Sequence, residues 1–142
     1  MTTGSSDAAV PEGFAPIFRT SPFLDMPGPI FYRPVESGFV IGLRVDEKHG
    51  NARGAAHGGF LLTLADITLG YTAAASADPP LQLTTVSISA DFVGHARIGD
   101  WVEAQVDIRR IGQRLVFANA FLVAQGKRIT RVSAVFARNA VN

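Results

Sequence analysis

The chain has 142 residues, 47% apolar and 18% charged, enough for one domain with a substantial core and too apolar to read as disordered. Its formal net charge is +1, and apart from Lys48 and Lys127 its basic residues are scattered arginines, so no electrostatic case arises for nucleic acid or an anionic membrane as partner. There is no cysteine, which excludes disulfides, a thiol nucleophile and cysteine-held zinc or iron–sulfur clusters.

Residues 1–12 are small and polar and lack the basic and apolar regions of a secretory signal, so a flexible tail and a cytoplasmic location are expected. Residues 13–142 are then a single domain. Phe14 to Pro34 mixes aromatics with Pro16, Pro22, Pro27, Pro29 and Pro34 and is expected to gain order only by docking onto a core. Gly38 to Val45 alternates as a strand, with Phe39, Ile41 and Leu43 set against Val40, Gly42 and Arg44. Asp46 to His57 reads as a loop containing Gly50, Asn51 and Gly54.

A helix is expected from Gly58 or Gly59 to about Ala77, stopped by Asp78-Pro79-Pro80. Its apolar stretch is short for a membrane span and reads as a buried helix. Four strands follow. In Leu83 to Val93, Val86, Ile88, Ala90 and Phe92 are expected on one face, with Thr85, Ser87, Ser89 and Asp91 on the other. Trp101 to Ile111 and Arg114 to Ala124 flank a turn at Gly112-Gln113, and Arg128 to Arg138 follows a turn at Gln125-Gly126-Lys127. Short turns imply antiparallel pairing, and an apolar helix must bury itself against the sheet. The expectation is an α+β domain in which a curved antiparallel sheet wraps one long helix.

Apart from a tyrosine, Asp66 is the only ionisable residue in the apolar helix segment Phe60 to Ala75, with no lysine or arginine within a helical turn. A carboxylate there is costly unless it is hydrogen-bonded, paired or perturbed. It either bonds Thr63 or Thr68 or faces solvent, or it serves as a base or nucleophile in a cleft. Upstream, His57-Gly58-Gly59 places two glycines where the helix begins. Free backbone N–H groups at a helix N-terminus suit a developing oxyanion, and glycine permits close approach of a carbonyl. His57 alone reads more readily as a loop or capping residue. Gly58 and Asp66 are eight residues apart, roughly 12 Å along a helix. One carbonyl cannot touch both in one chain, so a site using both would be shared between subunits of a symmetric dimer.

Asn51-x-x-Gly54-x-x-His57-Gly58-Gly59 followed by Ala65-Asp66 resembles the signature of hotdog-fold acyl-CoA thioesterases, in particular the phenylacetate-degradation (PaaI-like) type of the 4-hydroxybenzoyl-CoA thioesterase superfamily. The likeness continues through Thr85-Val86-Ser87, Asp91-Phe92, Gly99-Asp100 and Arg110-Ile111-Gly112-Gln113-Arg114. The resemblance implies a hotdog fold and hydrolysis of an acyl-CoA. Asp66 would be general base or nucleophile, and the Gly58 N–H would polarise the carbonyl. His57 would orient the site, Asn51 would place the thioester or lytic water, and Thr85 would supply a hydroxyl near the acid. Arg97, Arg110 and Arg114 would meet the coenzyme A phosphates, with Gly112 allowing close approach. It further implies a homodimer with shared sites, assembled as a homotetramer, with no metal and no cofactor beyond the coenzyme A portion of the substrate. A hotdog-fold hydratase or dehydratase and a non-catalytic acyl-CoA-binding module remain as alternatives.

Overall fold

The computed structural model describes residues 9–140, apart from the side chain of Ile108. Of the tail expected over residues 1–12, residues 1–8 lie outside the described part; further on, the Ala9 carbonyl accepts a hydrogen bond from Arg44 Nη2 at 2.6 Å. The elements are β1 (Ala15–Pro16), α1 (Pro22–Asp25), β2 (Phe31–Val35), β3 (Gly38–Arg44), a 3-10 turn (Glu47–His49), α2 (Gly58–Ala74), β4 (Leu83–Phe92), β5 (Trp101–Ile111), β6 (Leu115–Ala124) and β7 (Lys127–Arg138). The strands form one antiparallel sheet in the order β1-β2-β3-β5-β6-β7-β4.

The sheet wraps α2, as expected. Leu61, Leu64, Ala65, Thr68, Leu69, Thr72 and Ala73 of the helix are buried. Facing them are Ile41, Leu43, Val102, Ala104, Val116, Ala118, Ala120, Leu122, Val132, Ala134 and Phe136. Alanines recur on this concave face, so the strands can approach the helix axis closely while larger residues fill the remaining space. Close approach is tightest at Gly38, where φ is +143° and an added Cβ would lie 2.3 Å from Thr72 Cγ2. Among the described residues, no helix is long and apolar enough to cross a membrane.

Three features differ from the sequence reading. First, α2 stops at Ala74 rather than about Ala77, because the Ser76 N–H and hydroxyl both turn back to the Ala73 carbonyl, at 3.2 and 2.6 Å. Second, the proline-rich segment contains real elements. Pro34 does not prevent β2 from pairing with β3, since β1 covers only Phe31 and Tyr32 and Pro34 lies where β2 is itself an edge. Phe18 packs on Tyr32, Phe39 and Tyr71 at centroid distances of 4.9, 4.9 and 5.5 Å, pinning this strap to the end of α2.

Third, β4 does not alternate simply. Thr85 pairs with Phe136 and Ser87 with Val135, leaving Val86 as an extra residue. This bulge leaves Val86 60% exposed. It also turns Thr85 to the helix side, away from the outer face that the unbroken pattern assigned to it along with Ser87 and Ser89. Bulges commonly re-aim a side chain in this way.

Candidate active site

Asp66 lies halfway along α2, half-buried. Its Oδ1 accepts a hydrogen bond from Thr85 Oγ1 at 2.9 Å. The nearer threonines do not hold it: Thr63 Oγ1 donates to the Gly59 carbonyl at 3.1 Å and Thr68 Oγ1 to the Leu64 carbonyl at 2.7 Å. Among the described residues the one ion pair is Arg131–Asp91, so the Asp66 carboxylate has no cationic partner. It opens onto a groove of about 620 Å³ whose lining includes Arg19, Gly70, Tyr71, Leu83, Thr85 and Asn139. Burial pushes the Tyr71 hydroxyl above its ordinary pKa; Arg19 opposes that shift and the Asp66 charge adds to it. The phenol therefore stays neutral, with its proton, at physiological pH.

The other half of the predicted site forms at the start of α2. His57 occupies the N-cap position with φ −61° and ψ 139°, and its side chain makes no capping bond. Among the described residues, the N–H groups of Gly58 and Gly59 have no acceptor. Space beside the Gly59 Cα is open, whereas a Cβ on Gly58 would come 3.2 Å from the Phe92 ring. Asn51 shapes the preceding loop: its Oδ1 accepts from Arg53 N at 2.8 Å and Ala55 N at 3.2 Å, and its own N–H donates to the Ala55 carbonyl at 2.7 Å. The Asn51 carbonyl is thus committed to the loop, which leaves its amide nitrogen as the group able to meet a ligand. An apolar cavity of about 450 Å³ adjoins this end, lined by Phe23, Met26, Pro27, His57, Gly59, Phe60 and Thr63 among others.

Within one chain the two halves stay apart. Thr85, near the start of β4, touches Asp66, and Phe92, at the end of β4, covers Gly58. The strand therefore runs antiparallel to the helix with one half-site at each end. The arginines divide the same way. Arg97 bridges to Ala55 and its N–H donates to Asp100 Oδ2 at 2.9 Å, which places it with the Asn51 and Gly58 half. Arg110, Gly112 and Arg114 lie at the β5–β6 turn, where Arg138 donates from its N–H to the Arg114 carbonyl and from Nη1 to the Gly112 carbonyl. Arg138 pairs with Leu83, so this turn belongs to the Asp66 and Thr85 half. Gly112 has a structural reason to be glycine: a Cβ there would sit 2.7 Å from the Leu115 carbonyl oxygen.

Two residues near the site were not signalled by the sequence. Tyr71 lies a turn beyond Asp66 on the same groove, and its place there depends on the strap that Phe18 anchors. His49 is buried beneath the first turn of α2; a lone loop histidine carries no pattern that would reveal this.

Known proteins share this fold. A point mutant of the phenylacetic acid degradation protein PaaI from Thermus thermophilus superposes with a TM-score of 0.74 at 22% identity, over 84% of this chain and 100% of the other. A hypothetical thioesterase protein from Streptococcus pneumoniae, solved with coenzyme A, gives 0.71 at 18% identity, over 78% and 89%. The architecture is the hotdog fold. Residues 53–131 match the thioesterase superfamily. A Pseudomonas aeruginosa protein named as an esterase is 48% identical over 128 residues, covering 89% of this chain and 96% of its own length. The chain belongs to the thioesterase superfamily and is a thioester hydrolase.

Proposed function

We propose that the chain hydrolyses acyl-CoA thioesters as a homodimer, each site combining Asp66 and Thr85 of one subunit with the partner's Gly58, His57 and Asn51. The observation that carries this reading is the unpaired Asp66 carboxylate, held by Thr85 under a long, open edge strand. β4 has ten residues and, among the described residues, no neighbour on its outer side. Val86, Phe92 and the following Val93 are 60%, 49% and 77% exposed. Two-fold antiparallel pairing of β4 about its middle would bring the Phe92 end of one subunit to the Thr85 end of the other. That carries the partner's Gly58 N–H toward Asp66, twice per dimer.

In such a site the Gly58 N–H would donate to the thioester carbonyl oxygen and hold the negative charge that forms there. Thr85 engages one Asp66 oxygen and leaves the other to act. Acting as base, that oxygen takes a proton from water as the water oxygen attacks the carbonyl carbon. The tetrahedral intermediate then collapses, breaking the C–S bond, and the coenzyme A thiolate leaves and is protonated. Acting as nucleophile, the same oxygen would attack the carbonyl carbon and expel the coenzyme A thiolate, which is protonated, leaving an acyl anhydride that water hydrolyses to the free acid and Asp66. The same pairing sets Arg97 of one subunit beside the turn carrying Arg110, Gly112 and Arg114 of the other, a shared cationic rim for the phosphates of the substrate. No cofactor is required. The cavity walled by Phe23, Met26 and Phe60 gives an apolar acyl group room next to Gly59. Exposed Leu115 and Phe117, at 39% and 48%, offer a second contact surface by which dimers would pair as a homotetramer.

Thiol release from benzoyl-CoA or octanoyl-CoA, followed with a thiol reagent, tests the activity. Turnover by the wild type that is lost in Asp66→Asn is the expected result. Equal turnover by both proteins would remove Asp66 from its role.

A further inference from the structure

His49 is 5% exposed and takes no part in the chemistry proposed above. Its Nδ1 accepts a hydrogen bond from the Asp46 N–H at 2.8 Å. Its Nε2 lies 2.6 Å from the Pro27 carbonyl oxygen. An amide N–H can only donate and a carbonyl can only accept, so the ring fits these two neighbours only as the neutral Nε2–H tautomer.

The same residue grips the start of α2 from two sides. The His49 main-chain carbonyl accepts from the His57 N–H at 2.9 Å, one residue before Gly58. The imidazole stacks on Phe60, two residues after Gly58, at 4.4 Å between centroids and 25° between planes. Through Pro27 it also ties this turn to the N-terminal strap, and Lys48 Nζ adds a bond to the neighbouring Gly28 carbonyl. Main-chain bonds also hold its flanks, from the Ala56 N–H to the Ala96 carbonyl at 2.7 Å and from the Leu61 N–H to the His57 carbonyl at 3.1 Å. The His57 side chain makes no capping bond, and Gly58-Gly59 has more backbone freedom than any other residue pair could have. The direction of the free Gly58 N–H therefore depends in part on a contact from outside the helix, the His49 ring against Phe60.

We infer that His49 is a positioning residue, which in its Nε2–H tautomer aims the Gly58 N–H at the thioester carbonyl. The inference rests on the reading of Gly58 as oxyanion donor. His49 also borders the cavity assigned to the acyl group, but both of its ring nitrogens are bonded within the protein. Loss of a whole oxyanion donor lowers turnover by about a hundredfold to a thousandfold, and a donor that is present but misaimed loses part of that. Removing His49 should therefore lower kcat by about tenfold while KM stays within about twofold, the pattern of an interaction made in the transition state.

Two measurements on the full-length protein decide it. Long-range ¹H–¹⁵N spectra of the wild type should show His49 protonated at Nε2 alone; protonation at Nδ1, or a mixture of tautomers, overturns the inference. In thiol-release assays with benzoyl-CoA, His49→Ala should lose kcat, and His49→Gln, which keeps one donor and one acceptor, should recover most of it. Wild-type kcat in His49→Ala, folded by circular dichroism at the assay temperature, also overturns it. If the alanine variant does not fold, His49→Leu, which fills space without a donor or an acceptor, replaces it, and wild-type kcat there has the same meaning. A wild-type protein that releases no thiol defeats the thioesterase reading instead, and the tautomer is then read independently of activity.

Discussion

The sheet has two edges, and they are finished differently. At one, β1 is only two residues long and belongs to the strap, which is pinned to the sheet with Phe14 edge-on to Trp101 at 5.0 Å and the Arg33 guanidinium 5.3 Å from the Phe14 ring centroid. At the other, β4 is ten residues long with Asp91 as its sole charge, and it leaves Val86 and Phe92 exposed. An edge without lysine, proline or cover is a template for another strand. Asp66 and Gly58 lie along this open edge, one near each end. The closed edge stabilises a subunit; the open edge, on the reading proposed here, completes a site that a subunit alone lacks.

Substitutions should separate the two edges sharply. Asp66→Asn should keep the fold and lower turnover at least about a hundredfold, the scale for a lost acid–base group; thiol release and a melting curve check both halves of that statement. Gly58→Pro should lower turnover by a similar factor of about a hundred, because it deletes the proposed oxyanion donor. The fold should survive, since proline is tolerated at the first helical position, His57 already has the extended backbone that precedes proline, and the half-exposed Phe92 ring, 3.2 Å from a Cβ there, has room to shift. Val86→Lys combined with Val93→Lys should shift the protein to monomers in sedimentation and lower turnover about tenfold or more, as charges on an edge oppose strand pairing. Thr85→Val should lower turnover by about tenfold, the equivalent of a hydrogen bond to a charged group. Phe14→Ser, at the closed edge, should lower the melting temperature by a few degrees, roughly 1 kcal/mol for a lost aromatic pair, and leave turnover within about twofold.

Much of this was legible in the chain because its signals are local. The alternation in Gly38 to Arg44 and the turn glycines located most of the strands, and the one carboxylate in an apolar helix singled out Asp66. The eight-residue gap to Gly58 already required two subunits if both act on one bond. What escaped depends on register and distant packing. Nothing in Thr85-Val86-Ser87 announces a bulge; it arises where β7 offers one residue fewer, and it alone gives Thr85 its aim at Asp66. The β2–β3 hairpin was hidden by Pro34, whose tolerance depends on how short its neighbour β1 is. His49 carried no pattern, because its bonds run to Pro27 and Asp46 and its ring rests on Phe60. Gly112 was matched to ligand approach by resemblance, whereas the nearby Leu115 carbonyl is reason enough for glycine there.

The shared site is tested most directly by co-expressing Asp66→Asn and Gly58→Pro subunits under separate tags. Each homodimer lacks a working site, whereas a mixed dimer keeps one intact pair, Gly58 from the first chain facing Asp66 from the second. Random pairing makes about half of the dimers mixed, with one of two sites whole, so thiol release should return to about a quarter of the wild-type rate. If the mixture stays at the sum of its two inactive parents while the mixed dimer is isolated by its tags, both groups act within one chain or not on the same bond, and the account fails.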